Sequence, residues 1–476
     1  MRPSLFNVPV PLTGRDDVFL LNTFTDAQAV VSADVMVLLA RVSSDPAHEH
    51  RLSPEERDTL HTLREQGFVV DTHERERSAL REHFDAFRED TSQLRVTVLT
   101  TLQCNFACEY CVQGDHASHD PRSQRMTADT AARTLAWIDA RLDELRPRSF
   151  ALTFFGGEPL LNLPVLYTLA ERAWQACQVR GVTMLINVIT NGLLLTPEVV
   201  DRLLPFGLNG VKITLDGDRE THDRQRPLRG GQGTFDRIIA NVRAVAGRCR
   251  VSIGGNFEGE TTGSFVELLD YLAAQDFAPL LDKVAFKPVI RQQPEATPHV
   301  IPLTLVSSGR AASAVPAPRH RPTPSSPCDT CHFVDEQLTT LREETRARGF
   351  RTIDGVHMGP CEIHKRHAYT IGPDGALYAC PGFTGEAQYA VGHVDAAKAP
   401  DFARATDRFD RLSPWRDACG DCAFVPVCGG GCSVAAHAEH QDLHATSCHK
   451  SAFDAAAISL AHEAAPVDHP QPGDRS

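Results

Sequence analysis

Apolar and polar positions change period several times along this chain, and each change marks a part of it. Near the N-terminus FNVPVPL (6–12) and DVFLLNTF (17–24) read as short strands joined by a turn at Thr13–Gly14. SADVMVLLARV (32–42) reads as a helix. A second helix starts at Ser53-Pro54-Glu55-Glu56, with an N-cap serine, Pro in the first turn and Glu at N3. It stops before Gly67, and an apolar strand follows. Residues 1–92 thus form a small α+β module, either a packing domain or a site that docks a peptide.

From residue 94 the pattern alternates. LRVTVLTT (94–101), ALTFFGG (151–157), MLINVITNG (184–192), GVKITLDG (210–217), RVSIGGNF (250–257) and KVAFKPV (283–289) are β-rich apolar runs. Helical stretches separate most of them: 128–145, 164–181, 196–207 and 234–247. Alternating β and α predicts a parallel sheet, and six such units predict a barrel or partial barrel over 93–291. Functional loops then follow the C-terminal ends of the strands. Residues 292–327 are rich in Pro, Ser and Ala, so 292–360 reads as a linking region. A Cys-rich domain is expected over 361–455 and a disordered tail over 456–476.

Charge and composition narrow the function. A net charge of −13 argues against a nucleic-acid partner. No apolar run approaches a membrane span, and the N-terminus lacks the apolar core of a signal peptide, so a cytoplasmic location is expected. In a reducing compartment, fourteen cysteines point to metal or cluster binding over disulfides. Only Cys177 and Cys249 stand outside clusters, as buried small hydrophobes.

After the first barrel strand, Cys104, Cys108 and Cys111 form a C-x3-C-x2-C array. Four Cys or His ligands close a zinc site, whereas three thiolates on an iron–sulfur cubane leave one iron open. A zinc knuckle borrowing His116 or His119, or plain buried thiols, are the alternatives. Tyr110 stands where a ring can stack on a nucleobase or simply pack. Gly156-Gly157-Glu158-Pro159 follows the next strand; its glycines permit close backbone approach, and Glu158 supplies an acceptor for an ammonium group. Thr214 and Asp216 are placed to meet ribose hydroxyls, and Arg224 and Arg226 to clamp a carboxylate, although Arg219 and Arg224 also read as a solvated charged loop.

The Cys array, GGEP, TNG with Asn191, and LDG with HDRQR, each after a successive strand, together resemble the radical S-adenosylmethionine (radical SAM) superfamily. The resemblance implies an α/β fold with a partial (β/α)6 TIM-like barrel. It implies that Cys104, Cys108 and Cys111 hold a [4Fe–4S] cluster and that AdoMet chelates the open iron. Tyr110, Gly156, Gly157, Glu158, Asn191, Thr214, Asp216 and Arg226 are then the AdoMet contacts. An electron from the cluster cleaves AdoMet to methionine and a 5′-deoxyadenosyl radical that abstracts hydrogen from an unactivated C–H bond. A reductant such as flavodoxin or ferredoxin is an implied partner.

The C-terminal spacing, Cys361-x13-Gly375-x4-Cys380, then Cys419-x2-Cys422-x5-Cys428-x3-Cys432 and Cys448, resembles the SPASM domain. GPDGALYACPGF matches its hairpin, with a Pro-Asp-Gly turn. By this resemblance Cys361, Cys380 and Cys432 hold one auxiliary [4Fe–4S] cluster, and Cys419, Cys422, Cys428 and Cys448 another. Cys328 or Cys331 is a possible eighth ligand.

SPASM-bearing members mostly act on peptides or proteins. Maturation of a ribosomally made precursor peptide, by a crosslink or thioether, is therefore expected, and the N-terminal module resembles the small winged domains that grip leader peptides. An anaerobic sulfatase-maturing activity is the alternative; that family has an Asp immediately after the position of Cys380, where this chain has Pro381. A small-molecule substrate and a redox relay are further alternatives. Glu109, Asp115, His364 and His393 are acid–base candidates by residue type.

Overall fold

The structure, a computed structural model, describes all residues except 45–50, 112–123, 259–260, 290–330, 353–360, 396–418, 449 and 466–476. His116, His119, Asp115 and Cys328, with the 292–327 linker, lie outside the described residues.

The chain opens with β1 (Arg2–Pro3), β2 (Asn7–Pro11), β3 (Val18–Asn22) and β4 (Gln28–Val31), followed by α1 (Ala33–Ser44), α2 (Pro54–Glu65), β5 (Val69–Val70) and α3 (His73–Glu89). Strands β2, β3 and β4 form an antiparallel sheet in that order, and β1 pairs with β5. Gly14, at φ 75°, turns the chain between β2 and β3. Ser53 accepts the Glu56 amide and the Glu56 carboxylate accepts the Ser53 amide, completing the capping box of α2. No element is foreseen in the sequence where α3 lies. Its run HERERSALREHFDAFRE is mostly charged, and Leu80 and Phe84 carry its apolar face.

Six strands follow: β6 (Gln93–Leu99), β7 (Ser149–Phe155), β8 (Thr183–Thr190), β9 (Leu208–Thr214), β10 (Arg250–Phe257) and β11 (Leu281–Pro288). All are parallel and lie side by side in chain order. The helices between them are α4 (Ala128–Leu145), α5 (Leu163–Arg180), α6 (Pro197–Leu203), α7 (Arg219–Gln225), α8 (Phe235–Val245) and α9 (Thr262–Ala273). One strand face, with Val96, Val98, Leu152, Ile186, Ile213, Ile253 and Val284, joins these helices in the main core. The alternate positions face the hollow of the partial barrel.

After α10 (Cys331–Ala347) come β12 (Ala368–Ile371), β13 (Ala376–Tyr378) and β14 (Gly392–His393). Strands β12 and β13 are the expected hairpin, turned through Gly375 at φ 92°. The hairpin is not separate from the barrel. Strand β12 pairs in parallel with β6, which extends the sheet to nine strands.

The ends of the chain meet. Val8, Val10, Phe19 and Leu21 pack with Phe424, Phe453, Ala457 and Ala461. The helix Lys450–Ala464 therefore occupies positions 456–464, where disorder is expected from sequence. Its buried alanines pack with the N-terminal hairpin and Phe424, and the helix also lies along α10, distant partners that a local reading cannot supply. Residues 466–476 lie outside the described residues.

Candidate functional site

The loop carrying Cys104, Cys108 and Cys111 leaves the C-terminal end of β6 and is seated by its neighbours' backbones. A Cβ on Gly156 would stand 2.3 Å from the Thr101 carbonyl oxygen, and one on Gly157 2.2 Å from that of Gln103. The two glycines therefore admit the root of the Cys loop, whose carbonyls accept Gly157 N–H at 3.1 Å and Glu158 N–H at 2.9 Å. On the other side Ala107 N–H donates to Pro227 O at 2.9 Å and Arg229 Nε to Cys104 O at 2.7 Å. The Arg-rich segment after α7 thus clasps the loop.

Glu158 is fully buried. Its carboxylate accepts Leu160 N–H at 3.0 Å, Thr190 Oγ1–H at 2.8 Å and Asn191 N–H at 2.8 Å, which fastens the GGEP turn to TNG. Three of its roughly four acceptor positions are filled, so the ammonium acceptor expected from sequence is first an internal tie. Burial still pushes its pKa up, against those three donors. The Asn191 side chain donates to Asn105 Oδ1 at 2.7 Å and lies 3.9 Å from Cys104 Sγ.

Tyr110, Asp216 and Arg226 are brought together by the fold. Asp216 is fully buried. The Tyr110 hydroxyl donates to it, Arg226 Nη1 donates to Tyr110 Oη at 2.5 Å and to Asp216 at 3.3 Å, and Asn256 N–H donates to Asp216 at 2.7 Å. These groups, expected from sequence to face nucleobase, ribose and carboxylate, bind one another and tie the Cys loop to the ends of β9 and β10. Burial would lower the Arg226 pKa, but Tyr110, Cys108 and Asp216 outweigh it and raise it further. Its Nε is buried with no partner among the described residues. Buried His222 accepts the Asp216 N–H at 3.1 Å; burial, then Arg226, lowers its pKa and keeps it neutral. Asn105, His222 and Asn256 escaped the sequence reading, although His222 lies in the HDRQR run and Asn256 ends a predicted strand. Thr214 ends β9, half-buried. Arg219 pairs with Asp236 at the surface, and Arg224 donates to Thr221 Oγ1 at 3.5 Å.

Burial pushes the Cys104 thiol up to about 12 and raises that of Cys108, with neighbouring thiols adding to both. None of the twelve cysteines whose side chains are described is in a disulfide. Two further groups stand in the C-terminal region. Burial lifts Cys380 to about 12, Cys361 and Cys432 add to the rise, and Lys287 opposes it. Burial lifts Cys428 to about 11, with Cys419, Cys448 and Cys422 adding. Among the described residues no three His, Cys, Asp or Glu side chains close on the spacing of a single metal ion. The donor sets, three thiols in the barrel and three and four beyond it, suit iron–sulfur clusters, whose thiolates bind separate irons. Cys331 begins α10. Cys177 is a core residue, as expected, and Cys249 packs half-buried beside the core. Among the acid–base candidates Glu109 is exposed, His364 is buried, and His393 accepts the Asp395 N–H at 2.9 Å, a local structural role.

Comparison with known proteins agrees with this layout. The family model described as the Radical SAM superfamily matches residues 98–272. The chain is 32% identical over 146 residues to an AdoMet-dependent heme synthase of Methanosarcina barkeri, 30% of this chain and only 37% of the relative's length. It is 26% identical over 358 residues to the mycofactocin maturase MftC of Mycobacterium tuberculosis, 70% of this chain and 77% of that one. It is 21% identical over 351 residues to a serine-type anaerobic sulfatase-maturating enzyme of Bacteroides thetaiotaomicron, 69% of this chain and 80% of that one. In fold it is similar to anSMEcpe with bound AdoMet, at TM-score 0.56 and 16% identity, over 78% of this chain and 96% of that one. No helix among the described residues is long and apolar enough to cross a membrane. A strand-end cysteine triad in a partial barrel coincides with the match to the Radical SAM superfamily over residues 98–272; the chain is an enzyme whose barrel is similar to that superfamily, and AdoMet with a [4Fe–4S] cluster is the implied cofactor set.

Proposed function

We propose that this enzyme modifies a peptide, which it recruits through the N-terminal sheet. Cys104, Cys108 and Cys111 would hold the cluster that AdoMet completes; with both bound, the site supplies a radical able to abstract hydrogen from a C–H bond. Gly156, Gly157, Asn191 and Thr214 would border AdoMet, with Tyr110, Glu158, Asp216 and Arg226 holding that border in shape. Cys361, Cys380 and Cys432, and Cys419, Cys422, Cys428 and Cys448, would hold two auxiliary clusters.

The observation that carries the peptide reading is the edge of the N-terminal sheet. Strand β2 is closed to pairing by Pro9 and Pro11 and by the C-terminal helix packed on it. Strand β4, with sequence QAVV, pairs only with β3 among the described residues, contains neither Pro nor Lys, and exposes Val30 at 42%. Such an edge accepts an extended peptide as a further strand. The sulfatase-maturing alternative rests on similarity along 69% of the chain. Against it, Pro381 begins a 3-10 turn after Cys380, where that family carries its Asp.

The test is anaerobic co-expression with a short open reading frame encoded beside the gene, followed by weighing of the peptide. A loss of two hydrogens per modification is expected, abolished by Cys104→Ala. Val30→Pro is expected to abolish peptide modification while leaving 5′-deoxyadenosine formation. An unmodified peptide with continued AdoMet cleavage would overturn the peptide reading and leave the enzyme class standing.

A further inference from the structure

Two lysines in the barrel hollow make none of the hydrogen bonds that build the site described above. Lys212 on β9 lies between core residues Val211 and Ile213, and Lys287 on β11 directly follows core residue Phe286. Since side chains alternate along a strand, both lysines project from the opposite face, into the hollow. Their heights are set by the sheet register. Lys212 is level with Ser252 and Ile189, and Lys287 with Asn256, whose side-chain amide lies 3.3 Å from the Tyr110 hydroxyl. A Cβ on Gly254 would stand 2.6 Å from Lys212 Cε and 3.4 Å from its Nζ. The missing side chain at Gly254 therefore lets Lys212 climb two residues along β10 toward the level of Lys287. The pair thus lines β9 and β11 on either side of Gly254, up to the level of Asn256 and the Tyr110 hydroxyl it meets.

Neither lysine makes an ion pair or hydrogen bond among the described residues. Burial lowers the Lys212 pKa and Lys287 lowers it further, although the ammonium remains accessible through the open hollow. Two like charges facing each other without a carboxylate work against folding, and departures of this kind concentrate at functional sites.

We propose that Lys212 and Lys287 form an anion-binding subsite in the barrel hollow that seats a carboxylate of the peptide substrate. This rests on the peptide reading above and narrows it to a substrate carrying a carboxylate beside the reacting carbon, on an acidic side chain or at the chain end. Compact ammonium groups suit it, since they hold an anion by charge without fixing a bidentate geometry.

The test reads the lysines directly. Anaerobically reconstituted full-length enzyme, with and without AdoMet, is treated briefly with an amine-acylating reagent, and labelling of Lys212 and Lys287 is quantified by mass spectrometry. Three probes are compared: N-acetyl-glutamic acid 1-amide, with a side-chain carboxylate; N-acetyl-glutamine, with a terminal one; and neutral N-acetyl-glutamine amide. At twice its dissociation constant a bound probe leaves a third of the sites free, so labelling of both lysines is expected to slow about threefold with a charged probe. Protection by one charged probe alone identifies the source of the carboxylate, and protection by both supports a general carboxylate seat. Lys212→Met is expected to remove the protection of Lys287, and Lys287→Met that of Lys212. Equal protection by the neutral probe, no protection by any probe, or full shielding by AdoMet alone would overturn the proposal. Because labelling requires no turnover, its failure is distinguishable from failure of the peptide reading.

Discussion

The barrel cysteine loop and the four-cysteine group at Cys419, Cys422, Cys428 and Cys448 are built in opposite ways. The first is held by polar and backbone contacts from adjacent strand ends: Gly156 and Gly157 against Thr101 and Gln103, Asn191 against Asn105, and Arg226 with Tyr110 and Asp216. The second leans on apolar side chains from the far end of the chain. Phe6, Leu80 and Phe84 pack with Val425 against Cys419 and Cys422, the Thr23 hydroxyl donates to Ala423 O, and Arg77 pairs with Asp421. The lesson is that the N-terminal module serves as a wall of the second site as well as carrying an open sheet edge. Deleting residues 1–92 would strip that wall, so loss of activity on deletion would not by itself report peptide binding.

Gly157→Ala should have the largest effect. The added methyl meets carbonyl oxygen of the backbone, which has no rotamer to yield. AdoMet cleavage is expected to vanish, with iron falling by about four per chain from the total of about twelve that the three proposed clusters would hold. Loss of all the iron would break the comparison by making the two sites one cooperative unit. Phe84→Ala should act on the other side. Phe84 is 1% exposed, and its removal is expected to destabilise its cluster by about 3–5 kcal/mol. Iron is expected to fall at the four-cysteine group while the barrel site still cleaves AdoMet. Equal loss at both sites would show that the wall supports more than its neighbour.

The smallest effect is one of pH. Burial and Arg226 hold the His222 pKa below its ordinary value, so below pH of about 6.5 the unfolded chain binds a proton that the folded chain refuses. Stability is therefore expected to fall as pH drops through that range, by at most about 1.4 kcal/mol per unit. Denaturant titrations at pH 7.5 and 5.5 check this, and His222→Gln should flatten the difference. An unchanged difference would remove His222 from the barrel site's support.

The contrast also explains what was legible in the sequence. The six barrel strands and the Cys array obey local rules of period, turn and strand end, and each expected strand lies within three residues of its observed place. The opposite holds for contacts between distant segments. Nothing in the pattern around Phe84 or Ala457 names its partner, and so α3 and the end of the C-terminal helix were missed. Tyr110, Asp216 and Arg226 are legible by motif, but their bonds to one another are not, because residue type does not name a side chain's partners.

Pairing of β12 with β6 has a consequence for electron flow. The strand that ends in the barrel cysteine loop is bonded to the hairpin that ends in Cys380, so both sites hang from one hydrogen-bonded ladder. Tunnelling between redox centres weakens exponentially with their separation. A Cys-rich region on a swinging linker would have a fluctuating rate; here the sheet holds the gap at one length, and the conductance between any centres bound at the two sites is set when the chain folds.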